Sequence, residues 1–147
     1  MIAMPTLYFE YADGDQRRDV SVCNYGIYTD GKYEMNTYIG AGVGKYRINW
    51  CKDRGTSDSR RDINFPLLRY SDVLLMYAEA LNELNGYATQ EAIDALEKVR
   101  LRAFKNDASK IKPIPTEYAA FKEEIILERK LELSNDCLLY TSPSPRD

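Results

Sequence analysis

The sequence predicts a mainly α-helical fold with a loop-rich N-terminal segment that contains a β-hairpin. The C-terminal half holds three stretches whose apolar residues recur at the spacing of an α-helix. The N-terminal part holds seven of the twelve tyrosines, the one tryptophan and most of the glycines, in short runs separated by turn residues. We therefore divide the chain into a loop and hairpin region, residues 1–64, and a helical region, residues 65–133.

The composition suits one globular domain, since 44% of the 147 residues are hydrophobic and 29% are charged. The formal net charge of −3 lacks the basic excess that phosphate contacts require, so we expect no nucleic-acid partner. No apolar run reaches the roughly 20 residues that cross a bilayer, and the N-terminus lacks the pattern of a secretion signal. An address for export, if the natural protein has one, is missing from these residues.

The chain has no histidine and three cysteines, Cys23, Cys51 and Cys137. The absence of histidine removes the Ser-His-Asp and Cys-His catalytic groups. The cysteine spacing fits neither a zinc site nor a disulfide framework, although a Cys23–Cys51 disulfide stays open as an alternative in an oxidising compartment. We therefore expect no cofactor, no metal ion and no catalytic residue.

The first predicted element is a β-hairpin that turns at Asp30 and Gly31. Tyr28-Thr29 precede the turn and Lys32-Tyr33 follow it. The Asp-Gly pair supplies the positive φ angles that a two-residue hairpin turn needs. We therefore expect two antiparallel strands on either side of this pair.

A helix is predicted from Ser71 to Leu84. The Ser71 hydroxyl is the expected N-cap, and Gly86 follows at the position where a left-handed residue closes a helix. Apolar residues cover more than one narrow stripe, so we expect this helix to be covered on two sides. Its main inner face is expected to comprise Val73, Tyr77, Ala80, Leu81 and Leu84.

Two more helices are predicted, Gln90 to Phe104 with Thr89 as its cap, and Thr116 to Leu133 with Thr116 as its cap. Because only a few residues separate the first two helices, they must pack antiparallel, as in the helix pairs of tetratricopeptide repeats. The third helix is expected to pack near this pair. On its surface, Arg129 is expected to pair with Glu132.

The acidic and glycine-rich motifs do not indicate an enzyme. Residues 40–46 lack the glycine and the hydroxyl residue of a phosphate loop at the required positions. Residues 13–19 lack the closing glutamate of a calcium loop, and a structural Asp–Arg network is the better interpretation. A pair of catalytic acids, as in glycosidases, is a weaker alternative to an ordinary helix surface for Glu79, Glu83, Glu128 and Glu132.

Aromatic side chains are the residues that a sugar-binding protein would use. A flat ring packs on the apolar face of a sugar, while nearby amide and guanidinium groups bind the hydroxyls. For each aromatic residue taken alone, packing between strands is the simpler interpretation. The candidate ligand-binding residues are Trp50, Tyr46, Tyr38 and Tyr33, with Arg47 and Asn49 as their polar neighbours.

Three helical motifs occur in a recognisable order: NFPLLRYSDVLLMYAEALNEL, EAIDALEKVRLRA and EIILERKLEL. This order resembles the C-terminal part of the SusD/RagB family of outer-membrane glycan-binding lipoproteins from Bacteroidota. The upstream segments DGDQRRDVSV and GKYRINW are also similar to segments of that family. Together the motifs span most of Asp13 to Leu133, which we interpret as part of a SusD/RagB-like domain covering residues 1–133.

The resemblance implies a largely α-helical fold with tetratricopeptide-like helix pairs and a function in binding rather than catalysis. The implied function is capture of an oligosaccharide at the surface of the outer membrane and its delivery to a SusC-like TonB-dependent transporter. The membrane itself would be contacted only through a lipid anchor that these residues do not contain. The alternative is a tetratricopeptide-type adaptor that binds peptides or proteins in a helical groove.

Residues 134–147 do not continue the pattern of the third helix. They contain Ser-Pro-Ser-Pro, which cannot continue a helix. We interpret them as a non-native, adapter-derived tail, and the junction is open to within a few residues, because Ser134 to Asp136 fit either side.

Overall fold

The computed structural model describes residues 5–27, 33–35, 41–45 and 66–136, and the fold it shows is mainly helical. Three long helices form the C-terminal part, and short helices and strands form the N-terminal part. In chain order the elements are α1 (Pro5–Glu10), α2 (Arg17–Ser21), β1 (Tyr25–Ile27), β2 (Tyr33–Met35), α3 (Tyr70–Asn85), α4 (Gln90–Ala103), a 3-10 turn (Ala108–Lys110) and α5 (Tyr118–Leu133).

The predicted hairpin is confirmed as an antiparallel pair, β1 and β2, but its register differs from the prediction by one residue. Ile27 lies opposite Tyr33, whereas a two-residue turn at Asp30-Gly31 would place Ile27 opposite Glu34. The observed register leaves an odd number of residues, 28–32, between the paired ends. A two-residue turn cannot produce that register without one unpaired residue in a strand.

Helix α3 ends as predicted but begins differently. Gly86 closes the helix in the left-handed conformation, with φ of 72°, and its N–H donates to the carbonyl of Asn82. The N-cap is Arg69 and not Ser71, which lies inside the first turn. The Ser71 side chain is buried there, and its hydroxyl has no hydrogen-bond partner in the part of the chain that the structure describes.

The predicted inner face of α3 is wrong for Val73, Tyr77 and Leu84, whereas Leu81 packs against the core as predicted. Val73, Tyr77 and Leu84 are 41%, 47% and 80% exposed. The prediction failed because it placed polar residues outside, whereas two of them have partners on α5. Asp72 pairs with Arg129 at 3.1 Å, and the Asn82 amide donates to the Tyr118 carbonyl at 3.1 Å. The buried residues of α3 are Ser71, Asp72, Leu75, Ala78 and Asn82.

The predicted helix pair is confirmed, since α3 packs on α4 across the short connection at Gly86 to Thr89. Thr89 caps α4, and its hydroxyl accepts a hydrogen bond from the Ala92 N–H at 3.3 Å. Small residues on both helices let them approach closely. The core between the helices comprises Leu75, Ala78, Ala88, Ala92, Ala95, Leu96, Val99, Phe121 and Ile125.

Helix α5 packs on the pair as predicted, with Phe121 and Ile125 in the common core. Its N-cap is Glu117 rather than Thr116, because the Glu117 carboxylate accepts from the N–H groups of Ala119 and Ala120. A carboxylate at this position also interacts favourably with the positive end of the helix dipole. The expected Arg129–Glu132 pair is wrong, since Arg129 pairs with Asp72.

The C-terminal end of α5 packs against the N-terminal segment. A second apolar cluster forms there, and the Tyr11 hydroxyl donates to the Leu131 carbonyl at 2.8 Å. Burial raises the pKa of the Tyr11 phenol, so this donor stays protonated. The cluster comprises Leu7, Tyr11, Val22, Ala41 and Leu131.

Candidate functional site

Ion pairs connect the N-terminal segment to the ends of the three long helices, and we call this group of side chains the ion-pair network. It contains five acidic and five basic residues, so its formal charge is zero. Arginine dominates the basic set, as is usual where ion pairs are removed from water. The acids are Asp15, Glu124, Glu128, Glu132 and Asp136, and the bases are Arg17, Lys45, Arg69, Arg100 and Arg102.

Helix α5 supplies three acids of the network on one face. Glu124, Glu128 and Glu132 follow one another at four-residue intervals, which places them side by side along the helix. Arg100 of α4 lies between the first two, at 2.5 Å from Glu124 and 2.9 Å from Glu128. Arginines from other segments therefore neutralise the negative charge on this face of α5.

Arg17 lies at the centre of the network. Its guanidinium is 2.7 Å from Asp15, 2.5 Å from Glu128 and 3.1 Å from Glu132. Burial lowers the pKa of Arg17, but the hydrogen bond to Asp15 and the charge of Glu128 outweigh it and raise the pKa above its ordinary value. The predicted Asp–Arg network of residues 13–19 is thus confirmed, and it extends to α5.

Glu132 has the largest number of cationic partners in the network. Its carboxylate binds Arg17, Arg102 and Arg69, the last at 3.0 Å, and only 1% of its side chain is exposed. Burial alone would raise the pKa of this carboxyl, but the charge and hydrogen bond of Arg102 and the charge of Arg17 hold it below its usual value. Glu132 is therefore ionised at neutral pH.

This protonation state argues against the glycosidase alternative. A glycosidase needs a carboxyl group that keeps its proton near neutral pH to donate to the leaving group. Glu132 has the opposite shift, and Glu128 is bound by Arg17 and Arg100. Glu83 lies on the surface, where it accepts hydrogen bonds from Tyr118 and Lys122.

A cleft of about 380 Å³ opens beside the network. Its wall carries four cationic side chains and two anionic ones, and the apolar residues Val20, Pro66 and Ala103 complete it, so it offers both charge and apolar surface. Within the described ranges, no group of histidine, cysteine and acidic residues is arranged to hold a metal ion. The charged lining residues are Arg17, Lys45, Arg69, Arg102, Glu132 and Asp136.

Five of the six candidate ligand-binding residues lie outside the described residues: Tyr38, Tyr46, Arg47, Asn49 and Trp50. Tyr33 is described only as part of the backbone of β2. Lys45, which precedes Tyr46 in the chain, lines the cleft. Four of the candidates follow Lys45 in the chain, and their own positions lie outside the described residues.

The sequence analysis did not predict the basic residues of the network that lie outside α2. These are Lys45, Arg69, Arg100 and Arg102. One pattern could have indicated them, because carboxylates at four-residue spacing repel one another on an isolated helix. The spacing of Glu124, Glu128 and Glu132 therefore predicts cations on an opposing surface. The spacing does not predict which cations these are, since Arg17 is 111 residues from Glu128 in the chain.

Comparison with known proteins relates this fold to one family. Residues 6–136 match the model of a family described as the SusD family. The chain is 28% identical over 147 residues to "SusD-like protein P2" of Formosa agariphila, covering 90% of this chain and 29% of the relative. It is 42% identical over 72 residues to "SusD-like protein P25" of the same organism, covering 48% and 13%.

The fold is also similar to the crystal structure of a SusD homolog from Bacteroides thetaiotaomicron. The TM-score is 0.66 at 29% sequence identity, and the match covers 84% of this chain and 28% of that one. The chain thus spans less than a third of the length of this structure and of the first of the two relatives.

Proposed function

This chain belongs to the SusD family, and from that premise we propose that it binds a glycan at the surface of the outer membrane. The observation that carries the proposal is the match of residues 6–136 to the family, supported by the likeness of the fold to a solved SusD homolog. We further propose that binding is non-catalytic and that the glycan passes to a SusC-like TonB-dependent transporter. None of the helices in the described ranges has the length and apolar character of a membrane span. We propose a lipid anchor, as the family resemblance implies, for attachment to the membrane.

The proposed sugar contacts are made by the aromatic residues of the N-terminal region and their polar neighbours. Trp50 and Tyr46 would stack on the apolar faces of sugar rings, while Arg47 and Asn49 would bind hydroxyl groups. The position of Lys45 at the cleft supports this assignment, because four of the candidates follow it within five residues. Tyr33 and Tyr38 complete the proposed set.

The proposal is tested by substituting Trp50, the only tryptophan of the chain. Titration calorimetry against a panel of neutral and acidic oligosaccharides first identifies a ligand. Trp50→Ala is then expected to weaken binding by about tenfold or more, because one stacked ring is lost. Tyr87→Ala is the control, since Tyr87 is an exposed aromatic residue that follows the C-terminal end of α3, whereas Arg69 of the cleft precedes its N-terminal end.

Circular dichroism of both variants should match that of the unchanged protein. Equal affinity of Trp50→Ala and the unchanged protein, with the fold intact, would remove Trp50 from the site. Absence of binding to every glycan in the panel, together with binding of peptides, would favour the helical adaptor instead.

A further inference from the structure

The wall of the 380 Å³ cleft carries more positive than negative charge. Arg17 contacts Glu132, but it is already neutralised by Asp15 and Glu128, two acids that do not line the cleft. Two carboxylates of the wall are then shared by three other cations, which gives this part of the described wall a formal charge of +1. The carboxylates are those of Glu132 and Asp136, and the cations are Lys45, Arg69 and Arg102.

The carboxylate oxygens of the wall already serve more than one cation each. Glu132 Oε1 accepts hydrogen bonds from both Arg69 and Arg102. Asp136 Oδ2 lies 2.6 Å from Arg69 and 3.2 Å from Lys45. The cations of the cleft therefore compete for acceptor atoms.

Hydrogen-bond donors, in contrast, are left over. The Arg102 side chain is 60% exposed, and within the described ranges Nη2 is its one nitrogen with a partner. An ammonium group has three N–H donors. The ammonium of Lys45 has two partners in the same ranges, the Glu132 carbonyl at 2.9 Å and the Asp136 carboxylate. Lys45 and Arg102 can thus donate to a further acceptor in the cleft.

The pKa of Lys45 agrees with a shortage of negative charge. Burial lowers the pKa of the ammonium, the charge of Asp136 opposes this effect, and the charge of Arg69 lowers the pKa further. The pKa of Lys45 stays below its ordinary value, so one carboxylate does not offset burial and the second cation. An anion bound beside Lys45 would act in the same direction as Asp136.

The size and the apolar part of the cleft restrict the ligand further. Its volume lies in the range of small-molecule sites, roughly 300 to 1,000 Å³. Val20, Pro66 and Ala103 contribute apolar surface. An inorganic anion would leave this surface uncovered, and a neutral sugar would leave the positive charge without a partner. An acidic sugar has both a ring with an apolar face and a carboxylate.

We propose that the cleft is a subsite for an acidic sugar, in which Lys45 and Arg102 bind the carboxylate and the apolar wall contacts the ring. This inference names the substrate class of the proposed glycan binding and rests on that function. The described residues of the cleft supply the whole subsite. Arg69 is a positioning residue, because it holds Glu132 and Asp136 in place beside the two donors.

Free glucuronate and glucose test the subsite, since the two sugars have the same ring and differ in one carboxylate. Titration followed by protein NMR measures weak binding of each. Glucuronate is expected to bind about tenfold more tightly than glucose, because its carboxylate accepts charge-assisted hydrogen bonds. Inorganic sulfate, titrated in the same way, shows how much of the affinity an anion alone provides.

Arg102→Gln is expected to weaken glucuronate binding by about tenfold, because the exposed cationic donor is lost. Arg102→Lys keeps the charge and should retain most of the affinity. Lys122→Gln is the matched control, since it removes the same charge from a lysine that pairs with Glu83 on the surface and does not line the cleft. Lys45→Met is a second test of the same donor set if Arg102→Gln does not fold by circular dichroism.

The outcomes separate the subsite from glycan binding in general. Equal affinity for glucuronate and glucose would overturn the subsite, and so would glucuronate binding that Arg102→Gln and Lys45→Met leave unchanged. Sulfate bound as tightly as glucuronate would overturn the recognition of a sugar. A neutral oligosaccharide that binds alone, with the same affinity in Arg102→Gln, would support the proposed function and overturn the subsite. Glucuronate binding that depends on Arg102, in a protein that binds no oligosaccharide, would support the subsite and overturn the proposed function.

Discussion

Single residues of the ion-pair network carry charges that the fold has removed from water. The carboxylate of Glu132 is the extreme case, because three arginines surround it and only 1% of the side chain is exposed. A buried ion is stable only while its partners remain, since each ion loses its hydration on folding. The network therefore makes stability sensitive to the loss of any one buried member.

Glu132→Ala is expected to destabilise the protein by about 3 to 5 kcal/mol, because Arg17, Arg69 and Arg102 lose their common partner. Urea unfolding followed by circular dichroism measures this loss. Glu83→Ala is the control and should change the unfolding midpoint little, since Glu83 pairs with Lys122 in water. A Glu132→Ala protein as stable as the control would show that the network contributes nothing measurable.

Low pH should destabilise the folded protein through protonation of Glu132. The pKa of Glu132 is lower in the folded protein than its ordinary value of 4.5. Its ionisation therefore stabilises the fold above the ordinary pKa, and this contribution is lost as the pH falls through the lower, folded-state pKa. Urea midpoints measured from about pH 6 down to about pH 3 should fall more steeply for the unchanged protein than for Glu132→Gln. Parallel curves would contradict the assignment.

For single residues, the sequence predicted the ion pair between residues close in the chain and missed the ion pairs between residues far apart in the chain. The spacing of Asp15 and Arg17 indicates a local ion pair, and it forms at 2.7 Å. The contact of Arg17 with Glu132 joins residues 115 positions apart, and no local pattern specifies such a partner. Candidate sugar contacts such as Trp50 stay predictions, since they lie outside the described residues.

At the scale of elements, α3 has two faces with different surroundings. One face, with Leu75 and Ala78, is buried against α4 and α5. The other face carries apolar residues that are exposed, among them Val73, Met76 and Leu84. Helix α3 therefore contains one buried leucine, Leu75, and one exposed leucine, Leu84.

Leu75→Ala is expected to destabilise the protein by about 2 to 5 kcal/mol, because Leu75 is 0% exposed and its removal leaves a cavity. Leu84→Ala makes the same chemical change in the same helix at a residue that is 80% exposed, and should cost less than about 0.5 kcal/mol. Chemical unfolding of both variants gives the comparison. Equal losses would show that the observed burial of α3 is wrong.

The sequence predicted the existence and type of the long helices because their apolar spacing and end residues are local properties. Thr89 and Gly86 act as predicted, since each acts on the backbone within a few residues. Part of the inner face of α3 was predicted wrongly because Asp72 and Asn82 are buried by partners on α5. Tertiary partners decide such positions, and the hydrophobic pattern does not contain them.

At the scale of the whole molecule, the ion-pair network joins two apolar clusters that do not share a residue. One lies between α3, α4 and α5, and the other lies between the N-terminal segment and the end of α5. Residues just after α5 take part, since Ser134 contacts the Tyr11 hydroxyl and Asn135 donates to the Ser21 carbonyl. Ser134 and Asn135 are therefore packed against the N-terminal segment.

The exposed face of α3 is expected to be covered in a protein of the length of the family relatives. Five apolar residues share that face, and monomeric proteins seldom leave so continuous an apolar stripe in water. The chain spans 29% of one relative and 28% of the solved homolog, so most of such a protein lies outside these residues. We propose that another helix of the same polypeptide packs on Tyr70, Val73, Met76, Tyr77 and Leu84.

The test compares Leu84→Ala in two settings, the 147-residue chain and a protein of the relatives' length that contains it. In the short chain the change should have little effect, because Leu84 is already in water. In the long protein it should cost about 2 to 4 kcal/mol, because the side chain would leave a cavity between two helices. Leu75→Ala controls for the difference in background stability, since its surroundings within α3, α4 and α5 are complete in both proteins. A small effect of Leu84→Ala in both settings would mean that this face meets water or a separate partner, and the stacking of a further helix on α3 would be wrong.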